Sequence, residues 1–480
     1  MTIDPNEPIP LYFQLKTLLT EQILSGRYGP GDRLPTEQEL CVRYGISRNP
    51  VNRALSELAN EGVVLRRQRH GTFVNPHWLR RQSNVAELRV IVPEGAWTQQ
   101  IRAAAVGDTM RLNIVTVPLP ELHRTLTHAV GEGHGPDLAL VDSVWVAEFA
   151  AASFLLPLED LDADWVTTVY DADFLPPFAA ANRHARHTFA VQAEADVAGL
   201  WFRRDLVDGA GPTGLGSWAD LRRTAQRLTA ATNAATIALP GGRRAGETTT
   251  YCLLGLLASN GARVLHRGRV TLDAPQTVET MGFLRQLTQL GAIAPEAANY
   301  EWDQPVRMLA DGDVAVAFGG SYDARTLAGR AGVDISDVLD AFGFVPLPAG
   351  PRGHQATLAG GMALAVFRQS EHPDLAMRLL RRLTQPEALA EAARTTAQIP
   401  PRGAAVRLVA HDYPLLADTA AMLPSAVLRP AIPTYPRISE QLQAMLESVL
   451  VGRRDPRGAV AHTAELVAAI TGFPRADDGR

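Results

Sequence analysis

The sequence is poor in residues that form covalent or metal cross-links, because its 480 residues include only two cysteines, Cys41 and Cys252. These two thiols are far apart in the sequence and fall in different predicted domains. A disulfide framework and a cysteine-based zinc site are therefore excluded. Lysine is scarcer still, since Lys16 is the only one in the chain.

Long apolar runs are also missing, because no uninterrupted stretch approaches the roughly 20 residues of a membrane-spanning helix. The first 30 residues place Asp4, Glu7, Lys16 and Glu21 among their apolar positions, so the pattern of a secretion signal is absent. We therefore expect a cytoplasmic protein with no membrane partner. The contents of 46% apolar and 20% charged residues are typical of a globular chain with two or three domains.

Positive charge is concentrated near the N-terminus, although the whole chain has a net charge of −5. Residues 33–81 contain nine arginines and four glutamates, a net charge of +5. This segment is where an anionic partner would bind. The charge by itself is equally compatible with a solvated surface that binds no anionic partner.

The same segment contains two short helical patterns. In the stretch LPTEQEL, Thr36 and Glu39 have the spacing of a capping box, which predicts the start of a helix that Gly45 ends. Ser47 is the predicted N-cap of a second helix, and Gly62 marks its end. The two helices are therefore joined by a tight turn.

The second helix is predicted to have one apolar and one polar face. The apolar face consists of Val51, Ala54, Leu55 and Leu58, and the polar face of Asn49, Asn52, Arg53 and Ser56. The stretch VVLRRQRHGTFV then predicts two short strands around a basic tip. The preceding PLYFQLKTLLTEQILSGRY has apolar residues at helical spacing and predicts a helix that covers this small core. Such an arrangement is typical of a winged helix-turn-helix.

The ordered runs GDRLPTEQEL, GISRNPVNRAL, EGVV and RHGTFV resemble the DNA-binding domain of the GntR family of bacterial transcriptional regulators over residues 10–75. The resemblance implies double-stranded operator DNA as a partner. The residues expected at the DNA are Arg33, Thr36, Glu37, Ser47, Arg48, Asn49, Asn52, Arg53, Arg66, Arg67, Arg69, His70 and Gly71.

These residues are expected to divide by role. Base edges or nearby phosphates are assigned to Arg48, Asn49, Asn52 and Arg53, and positioning of the duplex to Arg33, Arg66, Arg67 and Arg69. A solvated surface charge is the alternative for each single arginine. Asn52 stands where the family usually has an arginine. Because asparagine can bond adenine bidentately, this change is expected to alter the DNA sequence that is bound.

The rest of the chain predicts an α/β fold. Residues 76–87 have neither helical nor strand periodicity and are interpreted as a linker between a domain of residues 1–75 and one of residues 88–480. The patterns LRVIVPEG, RLNIVTVPL and PDLALVD predict strands separated by helices, which indicates a parallel βαβ arrangement.

Ordered segments of this second part are similar to the extracellular solute-binding proteins of sugar-uptake ABC transporters, over residues 88–472. They include PDLALVDSVWVAEFAAASFLLPLEDL, HTFAVQAEADVAGLWFRRDL, MLADGDVAVAFGGSY, LAGGMALAVF and RPAIPTYPRISEQL. The resemblance implies two α/β lobes that close on a ligand in the cleft between them. The predicted fold is thus a winged helix-turn-helix followed by a two-lobed, periplasmic-binding-protein-like α/β domain.

The resemblance also implies a set of ligand-binding residues. Asp196, with Glu194 beside it, is expected to accept hydrogen bonds from ligand hydroxyls, although Gln192 replaces the proline usual in that segment. Asp142 and Trp145 follow a predicted strand and are expected at its carboxyl end, where α/β clefts bind ligands. The full set is Asp142, Trp145, Glu194, Asp196, Trp302, Gly320, Ser321, Tyr322, Gly360, Gly361 and Tyr435. Aromatic faces and carboxylates together suit a carbohydrate. Core packing is the alternative for each aromatic residue, and Trp218 is assigned to packing.

Three functions compete on these grounds. Several GntR-type regulators carry a fused aminotransferase-like domain, which needs a lysine to form the Schiff base with pyridoxal phosphate. Such an enzyme is disfavoured here, because the only lysine, Lys16, lies in the DNA-binding segment. A metal site at His184 and His187 is disfavoured because carboxylate or cysteine ligands are not nearby in the sequence. We expect no catalytic residue, metal or cofactor, and a homodimeric repressor controlled by a sugar or oligosaccharide. The alternative is the solute-binding component of an ABC sugar transporter.

Overall fold

The structure of the chain is a computed structural model that describes residue 3 and residues 9–67, 70–76, 78, 86–106, 110–207, 212–409 and 413–476. The chain divides into two compact units. The first consists of Met1–Ala139 with Phe367–Leu379, and the second of Leu140–Val366 with Leu380–Arg480.

The first unit opens with three helices and a hairpin. They are α1 (Leu11–Leu24), α2 (Glu37–Tyr44), α3 (Arg48–Asn60), β1 (Val64–Arg67) and β2 (Gly71–Val74). The backbone N–H of Glu39 donates to Thr36 Oγ1 at 3.3 Å, and the N–H of Thr36 donates to Glu39 Oε2 at 2.7 Å, which confirms the predicted capping box. The two strands pair antiparallel. Ser47 occupies the N-cap position of α3 but makes no side-chain capping bond.

The small core of these elements is the predicted one. The apolar residues of α3 at positions 51, 54, 55 and 58 are buried against α1 and α2. Lys16 is buried beside them, where its ammonium donates to Glu61 Oε1 at 2.5 Å and Glu57 Oε2 at 3.3 Å. The single lysine of the chain therefore joins α1 to α3 through a buried ion pair.

The first unit continues with alternating strands and helices. They are β3 (Glu87–Pro93), α4 (Trp97–Ala104), β4 (Arg111–Val117), α5 (Leu119–Gly131) and β5 (Leu138–Asp142), which runs on into the second unit. Strand β3 pairs parallel with β4 and with the start of β5. The parallel βαβ arrangement predicted from the sequence is confirmed for these strands.

The second unit contains short strands and many helices. Its strands are β6 (Arg183–His184), β7 (His187–Thr188), β8 (Val191–Gln192), β9 (Asp196–Arg203), β10 (Ile237–Ala238), β11 (Leu265–His266), β12 (Arg269–Val270), β13 (Val316–Gly320), β14 (Phe342–Val345), β15 (Leu358–Gly360), β16 (Met362–Val366) and β17 (Val427–Leu428). Strand β9 is central, in a sheet of order β10-β13-β9-β15-β17 with β14 also paired to β9. Because β9 runs antiparallel to β13, β14 and β15, this sheet is mixed and differs from the parallel one expected.

Helices follow β5 along the rest of the chain, and one of them, Pro373–Leu383, begins in the segment Phe367–Leu379 of the first unit. They are α6 (Val146–Ala151), α7 (Glu159–Trp165), α8 (Asp171–Asp173), α9 (Pro176–Ala181), α10 (Arg204–Val207), α11 (Trp218–Thr232), α12 (Glu247–Ser259), α13 (Pro275–Gln289), α14 (Gln304–Asp311), α15 (Ala324–Ala331), α16 (Val338–Ala341), α17 (Pro373–Leu383), α18 (Pro386–Thr396), α19 (Gly403–Val409), α20 (Pro414–Met422), α21 (Tyr435–Leu450) and α22 (Pro456–Thr471). Short 3₁₀ turns lie at Ser143–Trp145, Pro212–Leu215, Arg243–Ala245, Pro295–Asn299, Ser321–Asp323, Ile335–Asp337 and Leu423–Ser425, and a π turn at Val166–Tyr170.

The core of the second unit forms around β9. Trp201 of β9 is fully buried, and its indole N–H donates to the carbonyl of Gly320 at 2.8 Å. Trp218 stacks on Phe283 with ring centroids 4.5 Å apart, which confirms its predicted packing role. Within the described ranges, no helix combines the length and the apolarity that crossing a membrane requires.

The close packing of β9 gives a stability prediction. A Cβ at Gly199 would lie 2.5 Å from both Phe344 Cζ and the Val345 carbonyl oxygen, so Gly199→Ala should destabilise the fold by about 1–3 kcal/mol. Gly282, inside α13, is the matched control because a Cβ there meets open space. Gly282→Ala should stabilise by about 0.5–1 kcal/mol. Urea denaturation followed by tryptophan fluorescence measures both, and shifts of the same sign would contradict the packing described.

Candidate functional site

A buried arginine organises a polar cluster in the second unit. Arg429 follows β17, and its Nη2 donates to Asp142 Oδ1 at 3.1 Å while its Nη1 donates to Glu247 Oε1 at 3.0 Å. Asp142 ends β5, and Glu247 is the first residue of α12. One guanidinium therefore connects the ends of three elements, and its side chain is only 5% exposed.

Two hydroxyl groups also donate hydrogen bonds to Glu247. The hydroxyl of Tyr435 donates to Glu247 Oε1 and that of Ser439 donates to Oε2, each at 2.6 Å. Burial raises the pKa of Glu247, and the nearby charge of Arg429 and these hydroxyl donors oppose that effect. Both carboxylate oxygens are thus bonded within the protein.

Asp196 stands beside this group at the start of β9. Its Oδ1 accepts from the hydroxyl of Tyr251 at 2.6 Å. Burial raises the pKa of Asp196 to about 6, while the Tyr251 bond and the charge of Arg429 act in the opposite direction. The guanidinium of Arg429 also lies 5.5 Å from the centroid of the Tyr251 ring. Asp196 is therefore held by a phenol, without a direct ion pair among the described contacts.

Two glycines allow this close approach. A Cβ at Gly360 would lie 2.8 Å from Asp196 Oδ1 and 3.0 Å from Arg429 Nη2. Gly361 has φ of +129°, and a Cβ there would lie 2.1 Å from the carbonyl oxygen of Glu194. That same carbonyl accepts from Gln192 Nε2 at 2.9 Å, so the glutamine at the usual proline position orients the loop.

The segment after β13 contacts the backbone next to Asp196. The ring of Tyr322 is 6.1 Å from that of Tyr251. Ser321 is fully buried, and its Oγ accepts from the backbone N–H of Val197. Asp323 accepts from the N–H of Gly320 at 2.9 Å, and burial raises its pKa to about 8. Tyr322 therefore borders the cluster, whereas Ser321 ties the turn to β9.

The predicted ligand-binding residues are only partly brought together. Asp142, Asp196, Gly360 and Tyr435 meet around Arg429 in the contacts given above, and Tyr322 reaches this group only through the ring of Tyr251. Trp145 is half-buried, with its ring 6.3 Å from that of Phe149. Trp302 lies in the turn before α14 with 37% of its surface exposed, outside the contacts described for the cluster.

Sequence reasoning missed Arg429, Glu247 and Tyr251. Arg429 and Asp142 are 287 positions apart, so no local spacing links them. A usable signal was the acidic residue that opens ETTTYCLLGLL, a stretch without another charge whose second half is apolar, since a carboxylate at the edge of a buried helix needs a partner. Among the described residues, no group of three or more His, Cys, Asp and Glu side chains is arranged to hold a metal ion.

The DNA-binding candidates lie in the first unit. Arg48, Asn49, Asn52 and Arg53 are exposed on α3. Arg66 of β1 donates from Nη1 to Asn52 Oδ1 at 3.0 Å and to Ser56 Oγ at 2.9 Å, and from Nη2 to Glu37 Oε1 at 2.5 Å. An arginine expected to hold the duplex is therefore bonded to side chains of α2 and α3.

Arg53 is engaged in a different direction. Its Nη2 donates to Thr116 Oγ1 of β4 at 3.0 Å, and its guanidinium lies 3.8 Å from the centroid of the Tyr12 ring. Its Nη1 is 3.9 Å from Glu94 Oε1, and the hydroxyl of Tyr12 donates to the carbonyl of Thr116 at 3.3 Å. Helix α3 is thereby connected to β4 within the first unit.

The hairpin carries the other candidates. A Cβ at Gly71, which has φ of +114°, would lie 2.8 Å from Arg33 Nε, so the glycine admits that arginine. The guanidinium of Arg67 lies 5.4 Å from the centroid of the Phe73 ring. His70 is exposed at the tip, and Arg69 lies outside the described residues.

Two families match separate parts of the chain. Residues 111–390 match the bacterial extracellular solute-binding proteins, and residues 11–74 match the bacterial regulatory proteins of the gntR family. An HTH-type regulator of Bacillus subtilis (strain 168), YurK, is 47% identical over 73 residues, which are 15% of this chain and 30% of that protein. The histidine utilization repressor of Klebsiella aerogenes is 44% identical over 87 residues, 18% of this chain and 35% of that protein.

The other part resembles binding proteins over most of their length. A putative binding protein of Brucella abortus (strain 2308) is 22% identical over 413 residues, 82% of this chain and 95% of that protein. The GacH receptor of Streptomyces glaucescens GLA.O superposes with a TM-score of 0.73 at 21% identity, covering 82% of this chain and 100% of its own. Maltose-bound MalE3 of T. maritima superposes with a TM-score of 0.72 at 22% identity, covering 80% of this chain and 100% of its own. The predicted winged helix-turn-helix and binding-protein-like fold are confirmed.

The central role of Arg429 gives a second prediction. Arg429→Met should destabilise the second unit by about 1–3 kcal/mol, because the half-buried carboxylates of Asp142 and Glu247 lose their charged donor. Arg223→Met is the matched control, since Arg223 is 69% exposed in its pair with Asp220. That change should cost less than about 1 kcal/mol. Chemical denaturation measures both, and a similar small effect of the two substitutions would contradict the importance of the buried ion pairs.

Proposed function

Because the chain belongs to the bacterial extracellular solute-binding protein family and carries a gntR-type domain at residues 11–74, we propose that it is a DNA-binding transcriptional regulator controlled by a small ligand. The observation that carries the proposal is the presence in one chain of an exposed polar face on α3 and a buried hydroxyl-bonding cluster around Arg429. The proposed division is a DNA-binding domain of residues 1–75, a linker of residues 76–87 and an effector domain of residues 88–480.

The proposed DNA contact is made by α3 in the major groove and by the hairpin next to it. The exposed side chains of Arg48 and Asn49 supply donors and acceptors at the start of α3, where backbone N–H groups also attract phosphates. One such helix contacts too few base pairs for useful specificity. A homodimer on a two-fold-related operator is therefore proposed.

The proposed ligand is a sugar or an oligosaccharide. Carboxylates such as Asp196 accept from sugar hydroxyls, and the rings of Tyr251 and Tyr322 offer aromatic faces for C–H surfaces. Two proteins of similar fold were solved with acarbose and with maltose. The cluster supports ligand exchange, because a hydroxyl of the ligand can replace that of Tyr251 at Asp196.

The proposed regulator is a repressor that its ligand releases from DNA. Relatives of the N-terminal segment include proteins named as repressors, among them the histidine utilization repressor of Klebsiella aerogenes. A ligand shifts DNA binding only by the difference in its affinity for the DNA-bound and free arrangements. Arg53 supports such coupling, since its bond to Thr116 joins the recognition helix to β4 of the first unit.

A second candidate function is the solute-binding component of an ABC transporter. It is favoured by the putative binding protein of Brucella abortus, of which the match covers 95%. A regulator acts in the cytoplasm, whereas a transport receptor is exported. Fractionation of cells producing the full chain separates the two, because recovery of the intact chain outside the cytoplasm would contradict the regulator.

The ligand site gives a third prediction. Asp196→Ala should weaken sugar binding by about 1–3 kcal/mol, because a ligand hydroxyl loses its acceptor. Asp205→Ala is the matched control, since Asp205 is a largely exposed carboxylate paired with Arg203. Calorimetric titration of maltose and longer malto-oligosaccharides against both variants and the wild type provides the measurement. Equal affinities of all three proteins for a sugar that binds would rule out Asp196 as a ligand contact.

The coupling gives a fourth prediction. The ligand is expected to change operator affinity about 5- to 150-fold in the wild type. Thr116→Val should reduce this ratio, because it removes the Oγ1 that accepts from Arg53 while leaving the ligand cluster intact. Thr127→Val on α5 is the control, since the Thr127 hydroxyl bonds only its own helix among the described contacts. Operator titrations with and without sugar measure the ratio, and an unchanged ratio in Thr116→Val would exclude this route.

A further inference from the structure

Arg66 occupies an unusual place for an arginine of a basic hairpin. Its guanidinium has three acceptors, Asn52 Oδ1 and Ser56 Oγ on α3 and Glu37 Oε1 on α2. The pair with Glu37 places a carboxylate against the positive charge. Arg66 is therefore fixed beside the exposed face of α3 and contributes little net charge for attraction of phosphates.

The chemistry of the guanidinium determines the orientation of the Asn52 amide. Arginine donates hydrogen bonds and accepts none, so Asn52 must turn its Oδ1 toward Arg66. The hydroxyl of Ser56 lies 3.5 Å from the same Oδ1 and donates to it. Both lone pairs of Oδ1 thus face protein donors. The Nδ2 group, with its two N–H donors, is the part of the amide left to bind a partner.

The base that fits this arrangement differs from the one expected for asparagine alone. Bidentate bonding of adenine needs one donor and one acceptor from the amide, whereas guanine presents two acceptors, N7 and O6, in the major groove. We propose that Asn52 and Arg66 act together as a donor-only unit that specifies guanine in each half-site. This inference rests on the proposed DNA-binding function.

The unit also accounts for the departure from the family pattern at position 52. An arginine there would supply guanidinium donors from α3 itself. In this chain the guanidinium comes from β1 instead, and Asn52 connects it to the recognition helix. Arg66 and Asn52 are thus specificity-determining residues that depend on each other.

Selection of binding sites from a random DNA library tests the proposal with the full chain. The wild type should select a fixed guanine. Asn52→Ala and Arg66→Ala should each reduce discrimination at that same position by about 5- to 150-fold, and the double variant should lose no more than either single one. Asn52→Asp retains the acceptor for Arg66 but has no donors, so it should shift the preference toward cytosine, whose N4 donates.

Arg67→Ala is the matched control, because Arg67 is the next residue of the same strand and is also exposed. It should weaken binding to all DNA sequences alike and lower the slope of log affinity against log salt concentration by about one. Arg66→Ala should leave that slope nearly unchanged. Loss of an adenine preference in Asn52→Ala, or equal weakening of all sequences by Arg66→Ala with a reduced slope, would overturn the inference. A wild type that selects no sequence would instead overturn the DNA-binding function itself.

Discussion

The burial of the Arg429 guanidinium is the constraint on which the second unit depends. A cation removed from water is tolerated only when carboxylates and further hydrogen bonds compensate for its lost hydration. Asp142 and Glu247 provide that compensation from the end of β5 and the start of α12. These elements must therefore meet wherever Arg429 lies, and the bonds of Tyr435 and Ser439 to Glu247 fix α21 to the same point.

This arrangement leaves Asp196 in a distinct chemical state. Arg429 donates to the other two carboxylates, and Asp196 accepts its hydrogen bond from the hydroxyl of Tyr251. Burial raises the pKa of Asp196 to about 6. A carboxyl held only by a neutral donor can exchange that donor for another hydroxyl at little electrostatic cost. A carboxylate already bonded to a guanidinium would lose more in the same exchange. The ion pairs thus serve as a fixed frame, and Asp196 is the position at which we propose that a neutral polyol binds.

A structural feature could be predicted from the sequence when the residues that form it are close together in the chain. The capping box at Thr36, the end of α2 at Gly45 and the buried stripe of α3 depend on residues a few positions apart, and the sequence predicted them correctly. Strands β3, β4 and β5 followed from apolar patterns of the same local kind. The ion pair of Arg429 with Asp142 joins positions 287 apart, and neither residue type nor spacing indicates such a contact. The exposure of Trp302 was likewise beyond local patterns, because it depends on how the turn before α14 packs.

Two arginines of the first unit make bonds within the protein that the local sequence does not predict, for a related reason. Charge counting treats each guanidinium as available to DNA, whereas Arg66 is bonded to Glu37 and Asn52, and Arg53 to Thr116. A guanidinium cannot direct the same N–H groups at a phosphate and at a protein acceptor. A hydrogen bond to a charged group is worth about 1.5–3 kcal/mol, and allosteric coupling is typically about 1–3 kcal/mol. Moving Arg53 from Thr116 to a phosphate exchanges one such bond for another, so only the difference between the two bonds contributes to the proposed coupling of ligand and DNA.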